Sequence, residues 1–475
     1  NTIMDLKLGG IDIGVAVLYV VAFAIIGVLA NRKVKTAKDF VSAGQSLTLP
    51  VVVGTTIATC LGASILFSNY QRIHAFGIDG LVWALAWYVG WMLMLPIAKR
   101  LRASGATSLP TFLEKRYNGK TRTISSVFVL VSAISTCASF FLAFGTMAQT
   151  LGICDMKTGT IVGAVVIVIF TVVSGLWGVA LTDSLQTIII AIGCCILVPY
   201  YVFKTAGGVE PVMESVSENV LGFGQGLPTM LLIGYVMSNL LAAAAEPSFA
   251  QRIFASKDSR TAVIGQSLSC GISAMICIIA VLPAFAIPVL YPDMTDGAQF
   301  ITNVVADYFP AGLKGLMVSV IMGLLLTSGD SYLMLVSSSV VDDFVRPRKP
   351  DMEEKKLLRI GRVVIIIAAV IMVLLALYIK VIYNLFALGA SAYAAAVFVP
   401  LYLGCYWKKA NTKAINAAML CGGGVSLIWD LFLVDMTGIR GVMIGTALSL
   451  VICVVGSLLA KKPEVECIEA KQDEQ

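Results

Sequence analysis

Ala242-Ala243-Ala244-Ala245-Glu246-Pro247 lies inside an apolar stretch, residues 227–253, that is otherwise long enough to cross a bilayer as one helix. Proline has no amide hydrogen and its ring clashes with the preceding turn, so the helix is expected to stop before Pro247 and restart there. A stop at this depth frees backbone carbonyls and places a carboxyl group in hydrocarbon. Both are tolerated only where they line a cavity or bind something. The run 49–73 has the same character, because Ala58-Thr59-Cys60-Leu61-Gly62-Ala63-Ser64, small and polar, sits at its middle.

The surrounding sequence is that of a membrane bundle. Of 475 residues, 58% are hydrophobic and 13% charged, about half the charged share of a soluble protein. The apolar residues come in blocks such as Gly14–Ala30, Thr187–Phe203, Ser273–Leu290 and Gly441–Ala460, not in the alternating segments of about 10 residues that build an outer-membrane barrel. Spans are expected at 11–31, 49–73, 80–102, 124–150, 157–177, 181–204, 227–253, 260–291, 311–344, 357–378, 381–406, 412–433 and 438–460. The fold class is therefore an all-α polytopic membrane protein of about thirteen transmembrane helices. The first span is not read as a cleaved signal, since its apolar run is too long and its basic cluster follows it.

An odd number of spans puts the termini on opposite faces, and basic residues decide which is which. Most of the 34 Lys and Arg fall on the segments after odd-numbered spans, among them Arg32 to Lys38, Lys99 to Arg122, Arg252 to Arg260, Arg346 to Arg362, Lys408 to Lys413 and Lys461 to Lys471. This predicts the N-terminus outside and the C-terminus inside. It also removes any nucleic-acid reading of the +6 net charge, because the charge is spread along one membrane face. The interrupted second and seventh spans lie five apart and so enter from opposite faces. That is the relation of a five-plus-five inverted repeat, with spans 2–6 mirrored by 7–11.

On this reading residues 1–460 form one transmembrane unit: a peripheral first helix (11–31), repeat 1 (49–204), repeat 2 (227–406) and two peripheral helices (412–460). A polar tail, 461–475, is expected to be disordered. Outside, Ala206–Gly226 reads as a loop. Asp296–Phe309 reads as a short helix capping the bundle, with Phe300, Ile301, Val304, Val305 and Tyr308 at helical spacing.

The ninth span carries Thr327-Ser328-Gly329-Asp330-Ser331. Thr327 and Ser331 are i,i+4 and Ser328 and Ser331 are i,i+3, so hydroxyls line one face. Oxygen ligands of this kind suit a hard cation; equally, Ser and Thr can bond back to a carbonyl one turn earlier or bridge helices. One histidine, His74, and eleven cysteines set mainly inside apolar runs leave little for His-based catalysis or a metal cluster. The chain is accordingly not read as an enzyme, and the cysteines read as small buried hydrophobes.

At these residues the chain resembles the sodium/solute symporter family, sodium-coupled carriers of sugars, proline, pantothenate, sialic acid and choline. The likeness covers nearly the whole chain. It is carried by Thr36-Ala37-Lys38-Asp39-Phe40 with Ala43-Gly44, by Gly175-Leu176-Trp177-Gly178-Val179-Ala180-Leu181-Thr182-Asp183-Ser184-Leu185-Gln186, by Glu246-Pro247 through Gln251-Arg252, and by Thr327-Ser328-Gly329-Asp330-Ser331. The resemblance implies a sodium site made of carbonyls at Ala58, Leu61 and Leu324 and hydroxyls at Thr327 and Ser328. A second sodium, or a sodium path, would involve Asp183, Asp330 and Ser331, although Thr182-Asp183-Ser184 is also an ordinary helix N-cap. Depth and resemblance together nominate Ser64, Phe67, Trp87, Phe140, Asn239, Glu246, Phe249 and Tyr393 as substrate contacts. Two roles stand open for Glu246, facing the cavity or capping the helix that restarts at Pro247.

The implied function is sodium-coupled secondary active symport of a small polar organic solute by alternating access in the plasma membrane. A zwitterion or cation such as an amino acid or quaternary amine is one solute class; a monocarboxylate, vitamin or sugar is the other. Cys60 stands where some choline carriers have an aromatic residue, which argues against a full aromatic cage. Sodium is the coupling ion and no other cofactor is expected. The expected partners are the solute, sodium and the lipid bilayer, with no obligatory protein partner evident. The readings of a different class are a channel, which would need pore-lining rings, and a transport-like sensor.

Overall fold

The computed structural model describes residues 7–31, 45–62, 64–219 and 222–460; the side chains of 64, 65 and 173–185 are among those outside this description. Among the described residues, ten helices are long and apolar enough to cross a membrane, joined by three shorter apolar segments, Gly10–Tyr19, Leu49–Cys60 and Met156–Val172. One of these thirteen falls on each expected span. Helix starts are written in side chains at the interface: Asn118 accepts from the Thr121 amide, Asp155 from Lys157 and Thr158, Asp258 from Thr261, and Asn411 from Lys413 and Ala414. Each satisfies amides that the first turn leaves without partners.

Both expected interruptions are present. The second span is a helix over Leu49–Cys60, a turn at Leu61, a π-helical segment over Ser64–Ser68 and a second half-helix, Asn69–Phe76. The seventh is a helix over Thr229–Ala244 that breaks at Ala245 and Glu246 and restarts as Pro247–Ala255. The ninth runs unbroken over Leu313–Ser338 between them and is almost wholly buried.

The segments assigned to one membrane face meet at one end of the bundle. There Arg100 donates to the Cys405 carbonyl, Arg102 to Ser256, Arg116 to Gly404 and Trp407, and Arg122 pairs with Glu114 and Asp343. At the other end Lys7 bonds Asn303 and pairs with Asp307, and its amide donates to the Leu151 carbonyl. Two parts of the sequence reading are refined. Helical hydrogen bonding continues over Met156–Ile192 and on through Thr205, where two separate spans were expected. Both ends nonetheless lie near Lys7, since Leu151 bonds Lys7, and Tyr201 meets the ring of Phe309 at a tilt, 4.2 Å between centroids, two residues beyond Asp307, which pairs with Lys7. The segment read as a loop contains a helix, Val209–Asn219; Pro211 in its first turn suits a helix start, and its Glu and Ser content hid the amphipathic pattern. The Asp296–Phe309 segment is the expected cap, with Phe300, Ile301, Val304 and Val305 buried and Tyr308 half-buried.

The last two helices, Thr412–Phe432 and Gly441–Leu459, touch backbone to backbone. A Cβ added at Gly422 would stand 2.8 Å from the Gly445 carbonyl oxygen and 2.9 Å from that of Ala395, whereas one at Gly424 meets nothing within 4 Å. Small residues at such seams let dispersion replace the hydrophobic effect as the force holding helices together in lipid. Gly422→Ala is therefore expected to cost about 1–3 kcal/mol through overpacking and to lower the thermal midpoint of the detergent-purified protein. Gly424→Ala should leave it unchanged or raise it, since alanine is the better helix former by about 1 kcal/mol.

Candidate functional site

The helix ends at Cys60, where the Leu61 amide takes the Ile57 carbonyl; the carbonyls from Ala58 to Leu61 belong to the last turn and the break, where a helix offers no amides of its own. The ninth span reaches this break at Ser328. A Cβ on Gly62 would lie 2.6 Å from the Cβ of Ser328, so only glycine lets the two segments close. Ala58, Leu61, Leu324, Thr327 and Ser328 are all buried. The Thr327 hydroxyl donates to the Leu324 carbonyl at 3.2 Å, while the Ser328 hydroxyl has no hydrogen-bond partner among the described residues. A buried hydroxyl left open beside freed carbonyls is costly unless something coordinates it. A neutral, all-oxygen donor set of this kind fits a sodium ion.

Around Asp330 and Ser331 the arrangement is different. Asp330 is fully buried. The Ser331 hydroxyl lies 3.2 Å from that of Thr59, and both accept from Arg252 Nη2, at 2.8 and 2.7 Å. Arg252 also donates to the Ser248 carbonyl and to Gln251, so one guanidinium clasps the second, seventh and ninth spans. The sequence reading counted Arg252 with the basic residues of the inside face; the structure buries it. The side chain of Asp183, like that of Ser64, lies outside the described residues, as do Thr36–Gly44 and the tail 461–475.

Beside the break is a cavity lined by Thr59, Cys60, Asn69, Arg72, Ala84, Trp87, Tyr88, Thr136, Phe140, Asn239, Phe249, Tyr332 and Phe386. Its volume is about 30 Å³, room for water but not for an organic solute. The rings interlock: Trp91 stacks on Phe249 at 4.0 Å, Trp87 stands at 6.0 Å from Phe249 and 5.4 Å from Phe386, and Phe140 meets Tyr332 edge-on at 5.6 Å.

Of the nominated substrate contacts, Trp87, Phe140, Asn239 and Phe249 line this cavity. Phe67 is buried in the core away from it. The Tyr393 hydroxyl donates to the Ala245 carbonyl at the seventh-span break. Glu246 is turned onto its own helix: Oε1 accepts from the Ser248 amide at 3.2 Å, the Ser248 hydroxyl at 2.8 Å and the Tyr332 hydroxyl at 3.1 Å. Of the two roles open to it, the capping one is seen. The sequence reading missed Arg72, Thr59, Tyr88, Thr136, Tyr332 and Phe386. Arg72 carried a signal, a cation inside the expected second span, that passed for an ordinary helix end.

A scan of family models matches residues 40–422 to the sodium:solute symporter family. Among curated proteins, the osmoregulated proline transporter OpuE of Bacillus subtilis is 26% identical, covering 94% of this chain and 94% of its own. The sodium/proline symporter of Haemophilus influenzae is 22% identical over 95% of each, and sodium/myo-inositol cotransporter 2 of rabbit, Oryctolagus cuniculus, is 26% identical over 89% of this chain. Among solved structures, a substrate-bound, outward-open sodium-coupled sialic acid symporter superposes with a TM-score of 0.78 at 18% identity, covering 96% of this chain and 99% of that one. Inward-facing Mhp1 superposes at 0.56 and 13%, covering 86% and 90%.

The cap on the seventh-span restart yields a test. Glu246→Gln keeps an acceptor for Ser248 and Tyr332 and should shift the thermal midpoint little. Glu246→Leu strands three buried donors and should cost at least about 1–3 kcal/mol, visible as a clear drop in the same melt.

Proposed function

The chain belongs to the sodium:solute symporter family and is a multi-pass, sodium-coupled carrier of a small solute; we propose that it couples the two fluxes at the contact between Gly62 and Ser328. The family supplies the reaction, and the geometry of this contact supports the choice of place. In this reading sodium is held by the carbonyls of Ala58, Leu61 and Leu324 and the hydroxyls of Thr327 and Ser328. The single observation that carries it is the buried, unsatisfied Ser328 hydroxyl packed against the freed end of the second span.

Sodium bridging these two segments fixes the distance between the break and the ninth span. Thr59 and Cys60, which line the cavity, lie between the carbonyls that hold the ion, so ion binding orders the wall the solute meets. With the N-terminus outside, sodium enters from the face carrying Lys7 and leaves with the solute toward the face carrying Arg100 to Arg122. One positive charge moving inward through 100 mV contributes about 2.3 kcal/mol, enough for roughly 50-fold accumulation. A carrier without enzymatic turnover is proposed; the described residues of the cavity present aromatic rings, hydroxyls, amides, a thiol and a guanidinium. A quaternary amine is disfavoured as solute, because the buried Arg72 guanidinium faces the same space.

In proteoliposomes with an inward sodium gradient, the wild type is expected to accumulate its solute above equilibrium and to lose the accumulation when an ionophore collapses the gradient. Thr327→Ala with Ser328→Ala should raise the sodium concentration for half-maximal uptake by about 10-fold or more, as expected when about 1.4 kcal/mol of ion binding is lost. Uptake with an unchanged sodium dependence in that double variant rejects the site.

A further inference from the structure

Arg72 has no role in the sodium site, yet it stands on the cavity wall and is 1% exposed. A guanidinium this deep keeps its charge, and an unpaired charge in a dry interior is expensive. Two aromatic faces offset part of the cost: its central carbon lies 4.0 Å from the Trp83 ring and 5.6 Å from that of Phe386. Contact with ring faces does not use up the N–H bonds of a guanidinium, which stay available for hydrogen bonding. Of these, Nη1 reaches the Asn69 side-chain oxygen at 3.4 Å, while Nε and Nη2 have no hydrogen-bond partner among the described residues.

The nearby carboxylates are committed elsewhere. Asp79 accepts from the amides of Gly224, Gly226 and Leu227, and Asp296 from Gln71 and Ala298. Nε and Nη2 form one edge of the guanidinium, with parallel N–H bonds spaced for the two oxygens of a single carboxylate. In the lining of the same cavity the Asn239 side-chain oxygen is buried and lacks a donor among the described residues, while its nitrogen donates to the Trp83 carbonyl at 2.9 Å.

We infer that the Nε–Nη2 edge of Arg72 binds the carboxylate of the transported solute, which is a small carboxylate carrying an N–H or O–H donor for Asn239 and a compact apolar body. The inference rests on the carrier reading above and narrows its solute. The rings of Trp87, Phe140 and Phe249 line the same space and would meet the apolar body in a state wider than this one, whose cavity holds only water; amino and hydroxy acids of a few carbons match this set. Trp83 and Phe386 pack against the guanidinium, so little of the solute's binding is spent on ordering it.

The test pairs each carboxylate with its uncharged amide: L-proline with L-prolinamide, L-alanine with L-alaninamide, lactate with lactamide, alongside myo-inositol and choline. Stabilisation of the purified full chain by each compound is measured in sodium and in potassium, followed by uptake in proteoliposomes. At least one carboxylate is expected to stabilise the wild type in sodium and to be transported, with its amide inert. Arg72→Gln should raise the KM for that carboxylate by about 100-fold, the loss usual when one partner of a buried charge pair is removed. Arg72→Lys, which keeps the charge without the edge, should recover part of it. Stabilisation by sodium alone should persist in both variants and marks them as folded. Transport of myo-inositol or choline in place of any carboxylate, no carboxylate acting as ligand, or a KM within twofold of wild type in Arg72→Gln overturns the inference. Absence of any sodium-driven accumulation by the wild type would instead reject the carrier reading.

Discussion

Inside a bilayer the backbone must satisfy itself, and a helix that stops halfway leaves carbonyls that no water can reach. Everything particular to this chain follows from having two such stops. Both are filled from the protein where no ion is needed: the seventh-span break is closed by Tyr393 and Tyr402 donating to the Ala245 and Ala244 carbonyls and by Glu246 gathering the amide and hydroxyl of Ser248. The second-span break is met by the ninth span at Gly62 and Ser328, with one hydroxyl left open. Two breaks of similar composition are thus met by the protein in different ways. One is a sealed joint and the other presents oxygen ligands.

Much of this architecture was legible before any coordinates. Proline at 247 and the run from Ala58 to Ser64 locate the breaks because their cost in hydrocarbon is high and specific. The hydroxyls of Thr327 and Ser328 were legible for the same reason. What was hidden depends on direction and not on composition. Glu246 reads equally well as a cavity acid or a cap until the positions of Ser248 and Tyr332 are known. Arg72 and Arg252 lie near ends of expected spans, where cations are ordinary, and only the half-helices after each break carry them inward. The fifth and sixth spans lack a proline at their boundary, so helical hydrogen bonding runs on where a loop was expected.

The two buried arginines divide the labour of the cavity. Arg252 is wrapped by hydroxyls and a carbonyl and serves as a clasp among three helices. Arg72 is wrapped by rings and keeps an edge open. The first guanidinium ties three helices together, whereas the second, stacked on rings, is the one proposed to meet an anion. Residue type alone does not separate the two; their neighbours do.

Thr59 gives the clasp a further meaning. Its hydroxyl is held by Arg252, and it follows Ala58 directly and precedes Leu61 by two residues, the residues whose carbonyls are proposed to hold the ion. Allosteric communication is commonly sought along chains of contacts 20–40 Å long. Here one residue joins the two: the tie holds its side chain, and the proposed ion site uses the backbone on either side of it. A movement of Thr59 that loosened the tie would also shift the carbonyls of the proposed site, so the two are expected to respond together.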